Sequence, residues 1–397
     1  MTARIVHSVG GGADVLFYVQ HLLGIGHLRR AALIARALDR AGLDVVFATG
    51  GVAVPELDVG GVRVAQLPPV RTRDARFSAL VDERGREVDE AWKAARAERL
   101  LAIFHETRPK TLLIEMFPFG RRQMRFELLP LLDAARAARP RPRIVSSLRD
   151  VLTAQRKPEK VRWIVETFER YFDLVLVHGD PEFLPLERSF PEAREIADKT
   201  RYTGYVVDAA SSAKASNGAG EVIVSTGGGA AAGPLVDAAI EARALSPLKD
   251  APWRVLIGHN YPEAQFRVAA SKAPDGVIVE RARDDFRALL ASARLSISQA
   301  GYNTLLEVLA AGVPALVVPF AAESETEQTL RAQAFAERGM LTVVREADLS
   351  PHNLATGISR ALTQTSPADG RGLTGIRLRG AEETAEIVCD LAAIVPS

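Results

Sequence analysis

Short β-branched runs alternate with longer stretches of helical spacing from residue 15 onwards. Val15–Val19 (VLFYV) predicts a buried strand. His27–Ala41 follows with Leu28, Ala32, Ala35 and Leu38 on one helical face. Further strands are predicted at Val45–Ala48, Val62–Leu67, Thr111–Ile114, Ile144–Ser147 and Leu174–Val177, with helices at Asp89–Thr107, Met124–Ala138 and Pro158–Tyr171. Strands alternating with helices imply a parallel sheet covered on both faces, wound by right-handed crossovers.

The segment Ala209–Gly220 (AASSAKASNGAG) is small, polar and Gly/Ser-rich, the composition of a linker. After it the rhythm restarts. Strands are predicted at Glu221–Ser225, Arg254–Ile257, Val277–Val279, Leu295–Ser298, Ala315–Val318 and Leu341–Val344. Helices are predicted at Phe286–Ala291, Thr304–Ala311 and Glu327–Arg338. The expected organisation is α/β, with a doubly wound domain over residues 1–205, a linker over 206–220, and a second doubly wound domain over 221–397 that ends in a helix at Ala381–Ile394.

The length of 397 residues suits two domains of ordinary size. Hydrophobic residues make up 47% and charged residues 25%, which excludes disordered, collagenous and coiled-coil classes. No apolar run is long enough to span a bilayer, and the first residues do not read as a signal peptide, so a cytoplasmic location is expected. The single Cys389 excludes an internal disulfide or a multi-cysteine metal site. A net charge of +1 hides an asymmetry: +6 over residues 1–205 and −5 over the remainder. Arginine is densest between Arg121 and Arg149, a stretch suited to an anionic substrate or a membrane surface, or to simple solvation.

Three glycine-rich turns carry candidate chemistry. Gly24-Ile25-Gly26-His27-Leu28-Arg29-Arg30 follows the first strand and opens a helix, where open α/β folds bind ligands. His27 is a candidate base at neutral pH, and Gly26 and Arg30 suit a phosphate or carboxylate. In the second half, Ser225-Thr226-Gly227-Gly228-Gly229 suits an anion held on backbone amides, although its spacing fails the dinucleotide fingerprint. Ser298-Gln299-Ala300-Gly301-Tyr302-Asn303-Thr304 makes a second strand–turn–helix beside it. Glu307 lies one turn further along the same face, and its carboxylate suits the hydroxyls of a ribose. Glu327-Gln328 opens a later helix, an acid and an amide fit for sugar hydroxyls. In the first half, Glu115 precedes the loop Phe117–Arg122 and is an alternative base or an acceptor ligand. Arg121, Arg122 and Arg149 are candidates to hold an anionic acceptor.

With these residues in hand, Ser298–Gln328, with Glu307, Gly312, Pro314 and Pro319 in register, resembles the nucleotide-sugar signature of the GT-B glycosyltransferases of family 28. The branch it is most similar to is typified by the bacterial N-acetylglucosaminyltransferase of lipid II. Tyr18-Val19-Gln20-His21 running into Gly24–Arg30, together with Glu115–Arg122, resembles an uncharacterised bacterial group of predicted glycosyltransferases. The resemblance implies two Rossmann-like domains facing each other across a cleft, a UDP-sugar as substrate and no cofactor. By position, Ser298 to Thr304 and Gly227 to Gly229 would hold the diphosphate, Glu307 the ribose, and Glu327 and Gln328 the donor sugar, an N-acetylhexosamine. The backbone around Arg281 and Ala282 would read the uracil. Two departures leave the sugar open: the pair is Glu-Gln where that branch often has Gln-Gln, and one extra residue separates it from Pro319.

The expected chemistry is metal-independent, because no Asp-x-Asp cradle or His/Cys cluster is present and helix ends can stabilise a leaving diphosphate. An acceptor hydroxyl would lose its proton to His27 and attack the anomeric carbon with inversion. The acceptor would be a small molecule or lipid-linked, anionic, with peripheral contact at the inner membrane face and no nucleic acid. The rival readings are a UDP-sugar hydrolase of the pseudaminic acid pathway type, a UDP-sugar 2-epimerase and a non-catalytic nucleotide-sugar-binding protein.

Overall fold

The computed structural model describes residues 4–5, 10–54, 57–74, 79–153, 157–208, 220–227, 233–321, 326–363 and 375–394. The chain divides into two compact units, residues 1–206 with 377–397, and residues 207–376.

The first unit is built on β1 (Arg4–Ile5), β2 (Val15–Val19), α1 (Gly26–Arg40), β3 (Val45–Thr49), β4 (Arg63–Gln66), β5 (Val70–Thr72), β6 (Leu80–Asp82), α2 (Glu90–Thr107), β7 (Thr111–Glu115), α3 (Arg125–Ala137), β8 (Arg143–Arg149), α4 (Pro158–Tyr171), β9 (Leu174–His178) and β10 (Thr200–Tyr202). Eight of these strands form one parallel sheet in the order β1-β4-β3-β2-β7-β8-β9-β10, while β5 and β6 pair as a small antiparallel ribbon. The interior strands β2 and β3 are buried along their whole length, which is why they read as continuous apolar runs rather than alternating ones. From β2 the order runs one way to β3 and β4, then reverses to β7, β8 and β9. The reversal leaves a crevice between the ends of β2 and β7, the place where open α/β sheets take ligands.

The second unit repeats the plan with β11 (Val222–Ser225), α5 (Gly233–Leu245), β12 (Trp253–Ile257), α6 (Glu263–Ser271), β13 (Val277–Arg281), α7 (Phe286–Ser292), β14 (Leu295–Ser298), α8 (Tyr302–Ala311), β15 (Ala315–Val317), α9 (Glu327–Ala336), β16 (Thr342–Val343) and α10 (Pro351–Thr363). Its parallel sheet runs β13-β12-β11-β14-β15-β16, so its reversal lies between β11 and β14.

One expectation is corrected. The last helix, α11 (Gly380–Ile394), was expected with the second domain but packs on α1 of the first unit. Ala381, Ala385 and Val388 share a core with Leu28, Ala31 and Ala35. The apolar stripe of α1 has a second face to cover, and α11 covers it. At its start α11 lies tight against the segment after β10, where a Cβ on Gly380 would lie 2.7 Å from the Tyr205 carbonyl carbon. The boundary of the second unit is therefore residue 376, and the expected linker falls largely on residues outside the described set.

Candidate active site

His27 is the second residue of α1, on the loop that leaves β2, and Glu115 is the last residue of β7. The sheet reversal brings them together. His27 Nδ1 lies 3.1 Å from Glu115 Oε1. Arg30, one turn along α1, also bonds Glu115 Oε1 through Nη2. Glu115 and Arg30 are buried, whereas His27 keeps 16% of its side-chain surface exposed. Two groups face His27 Nδ1: the Glu115 carboxylate, which can only accept, at 3.1 Å, and Arg30 Nη2, which can only donate, at 3.3 Å. The carboxylate is the nearer and Arg30 already donates to it, so the proton of a neutral His27 sits on Nδ1 and the lone pair on Nε2. Burial, and then the nearby charges of Arg121, Arg149 and Arg30, hold the His27 pKa well below 6.5, so the ring is neutral at pH 7. Burial likewise lowers Arg121 to about 10, and Arg149 and Arg30 add repulsion while Glu115 opposes it.

The loop after β7 is bent into place by two residues in the left-handed region, Met116 at φ 68° and Arg121 at φ 57°. Arg121 Nε donates to Gln20 O at 2.6 Å, tying this loop to the one after β2. Gln20 is itself held from behind. Arg96 Nη2 donates to Gln20 Oε1 at 2.6 Å, and Arg96 Nε donates to Glu127 Oε2 at 2.6 Å. Both members of that Arg96–Glu127 pair are fully buried. At Gly51 any side chain would strike the His21 imidazole, which fixes the adjoining loop after β3.

Several expectations change here. Arg30 holds the Glu115 carboxylate and is buried, so it is not displayed to a substrate phosphate. Both Glu115 oxygens are occupied, Oε1 by His27 and Arg30 and Oε2 by Ser147, which makes Glu115 a partner of His27 and not an open base. Arg122 is exposed and stacks over Trp163 at 5.3 Å. The arginine-dense stretch is not one face. Arg141 and Arg143 lie at the opposite end of β8 from Arg149, and Arg141 pairs with Asp173 at 2.8 Å. Arg121 and Arg122 line a groove of about 1190 Å³, with Phe119, Phe126 and Leu129 supplying apolar walls and Lys160 a further cation.

In the second unit, β11 and β14 are paired with Ser225 opposite Ser298, so their two loops leave side by side. Gly227, at φ 60°, lies against the Thr304 hydroxyl, 3.8 Å from where its Cβ would be. Gly228 and Gly229 lie outside the described residues. The N-cap of α8 is Gly301; no side chain caps the helix and its first turn holds no acid, the electrostatics an anion favours. Asn303, Thr304 and Glu307 are half-buried on α8, as is Gln299 before it, whereas Ser298 and Ala300 are buried. Two assignments shift. Gln328 Oε1 accepts from Ala300 N at 3.0 Å and Phe320 N at 3.2 Å, so it clamps two loops together, and Glu327 beside it is buried. The Arg281 side chain is committed to Gly258 O, Tyr261 O and Glu263, over the Phe266 ring at 4.2 Å. The Ala282 amide bonds Ile257 O within the sheet, so it does not face a base. Asp285 stands at the start of α7 without capping it by its side chain, and its carboxylate accepts from Arg283. Among the described residues no group of three His, Cys, Asp or Glu side chains is placed to hold a metal ion. None of the described helices is long and apolar enough to cross a membrane.

Comparison with known proteins bears on the fold and the family. Residues 222–369 match the model of the glycosyltransferase family 28 C-terminal domain. Solved glycosyltransferases superpose over nearly the whole chain. CalG4, the calicheamicin glycosyltransferase, aligns with a TM-score of 0.63 at 18% identity, covering 97% of this chain and 100% of that one. MurG of Acinetobacter baumannii aligns with a TM-score of 0.61 at 15% identity, covering 95% and 99%. The chain has the GT-B fold, with a family 28-like second unit. In sequence, the UDP-N-acetylglucosamine–N-acetylmuramyl-(pentapeptide) pyrophosphoryl-undecaprenol N-acetylglucosamine transferase of Brucella canis is 31% identical over 135 residues. That match covers 34% of this chain and 35% of the relative, so the chain spans about a third of the length of the curated relatives it matches. In this GT-B chain the family-model match falls on the half that bears Gly227, Gly301 and Glu307.

Sequence reasoning missed Ser147, His178 and Thr203, which stand behind Glu115. His178 at the end of a buried strand carried the same signal as His27, a titratable ring at the ligand edge of a parallel sheet. Of the two residues that hold the loops from behind, Gln20 stood only inside the Tyr18–His21 motif, with no role assigned, and Arg96 carried no signal.

Proposed function

We propose that this protein is a glycosyltransferase that moves a sugar, an N-acetylhexosamine by likeness to its relatives, from a UDP-sugar to an acceptor hydroxyl. The observation that carries the reading is the His27–Glu115 pair. A neutral imidazole, protonated on Nδ1 against a carboxylate, offers Nε2 to an incoming hydroxyl. The acceptor O–H proton passes to Nε2 as its oxygen bonds the anomeric carbon. The bond from that carbon to the diphosphate breaks on the opposite face, and inversion follows from the single displacement. The N-terminus of α8 and the loop at Gly227 stabilise the departing diphosphate, without a metal ion. Glu307 holds the ribose. Arg121 and Arg149, half-buried beside His27, suit an acceptor that is itself anionic, small or lipid-linked, reached at the cytoplasmic membrane face.

The test pairs binding with turnover. Calorimetry with UDP should detect binding, and Glu307→Ala should weaken it roughly ten- to a hundredfold, the worth of a charged hydrogen bond. His27→Gln should lower transfer by about 10²–10⁴-fold while leaving UDP affinity intact. Absence of UDP binding would overturn the donor assignment. Full activity in His27→Gln would overturn the base. Rapid UDP release from the donor with no acceptor present would replace transfer by hydrolysis.

A further inference from the structure

Behind the His27–Glu115 pair runs a line of polar side chains that the proposed reaction does not touch. Glu115, Ser147 and His178 stand at or near the carboxyl ends of the neighbouring strands β7, β8 and β9, and Thr203 follows β10. All four are fully buried. Ser147 Oγ lies 2.6 Å from Glu115 Oε2 and 2.9 Å from His178 Nε2. His178 Nδ1 lies 2.9 Å from Thr203 Oγ1.

Counting protons fixes the direction of each bond. The Glu115 carboxylate has only lone pairs to give, so the single Ser147 O–H goes to Oε2. The Ser147 oxygen must then accept, and His178 must supply Nε2–H. Burial, reinforced by Arg30, pushes the His178 pKa down to about 3, so the ring carries one proton. With that proton on Nε2, Nδ1 can only accept, and it takes the single Thr203 hydroxyl proton as the nearest acceptor at 2.9 Å, ahead of Gly204 O at 3.1 Å and Val177 O at 3.5 Å. Each proton in the line points towards Glu115.

A carboxylate held by one oxygen can swing about its last bond. Held by both, it has one orientation. We propose that Ser147, His178 and Thr203 are positioning residues: by fixing Oε2 they hold Oε1 on His27 Nδ1 and so keep the Nε2 lone pair free. None of the three touches substrate. The functional consequence rests on His27 being the base, but the tautomer itself does not.

The test reads that tautomer directly. The full chain is labelled in its seven histidines, and long-range proton–nitrogen spectra at neutral pH report which ring nitrogen carries the proton. His27→Gln and His178→Gln assign the two signals. Wild type should show His27 protonated on Nδ1 and His178 on Nε2. Ser147→Ala, which removes one oxygen, should turn His27 into a mixture of tautomers. His178→Leu should do the same, whereas His178→Gln, whose amide reaches the same place with an N–H, should keep His27 locked. If His178→Leu does not fold, Thr203→Val and Ser147→Ala carry the comparison. In transferase assays Ser147→Ala should lower kcat about tenfold with donor KM unchanged, as expected when a reacting group is misplaced. An unaltered His27 tautomer in Ser147→Ala and Thr203→Val would overturn the proposal, as would a fall in kcat without a change of tautomer. The spectra need neither donor nor acceptor, so they stand apart from the transferase reading.

Discussion

Three arginines surround His27 against the single carboxylate of Glu115, and burial makes that imbalance count. Replacing Glu115 by Gln keeps the shape but leaves the Arg30 charge buried beside a neutral amide. Loss of one partner of a buried pair costs about 3–5 kcal/mol, so Glu115→Gln should lower the urea midpoint as well as turnover. The pH dependence has a definite sign. In the proposed reaction, protonation of His27 abolishes the base, and its pKa is depressed, so kcat/KM should stay level as pH falls past 6.5, with the acid limb below it. Stability should behave differently. His178 titrates near 6.5 when unfolded and at about 3 when folded. Between those values the unfolded chain binds more protons, so stability is full above pH 6.5 and drains away as pH falls towards 3. Unfolding curves for His178→Gln should show a shallower fall over the same range.

The elements that were legible in the sequence are those whose periodicity is set by burial. The apolar runs at Val15–Val19 and Leu295–Ser298 form strands at those bounds because central parallel strands bury both faces. Elements stabilised by tertiary context left no such trace. The three-residue strands β5 and β6 are too short to show a period, and the docking of α11 on α1 brings together segments far apart in the sequence, through Ala381, Ala385 and Val388. The candidate site divides in the same way. His27, Glu115 and the Gly301 turn announced themselves by lying where strand passes to helix. Gln328 was legible as a site residue, but its role as a loop clamp was not, because that depends on where Ala300 and Phe320 fold. Gln328→Ala strips an acceptor from two backbone amides, so melting temperature and UDP affinity should fall together, by about 1–3 kcal/mol for each amide left unpaired. A residue that only touched the donor sugar would leave the melting temperature of the free protein unchanged.

At the scale of the whole molecule, the first unit is made from both ends of the chain. Residues 1–206 and 377–397 fold together, and residues 207–376 are inserted between them. Removing residues 377–397 uncovers the face of α1 lined by Leu28, Ala31 and Ala35, although it removes nothing from the Gly227 and Gly301 turns. Such a truncation should impair the first unit, seen as lost cooperativity in calorimetric unfolding, while UDP still binds to the second.

Because α11 returns to α1, the two termini belong to the same folded body. A pulling force applied to those termini, as in a single-molecule tether, is borne by the α1–α11 seam before any tension reaches the inserted unit. Mechanical rupture should therefore follow a fixed sequence, with the body that carries His27 yielding first and the inserted body shielded until α11 has peeled away.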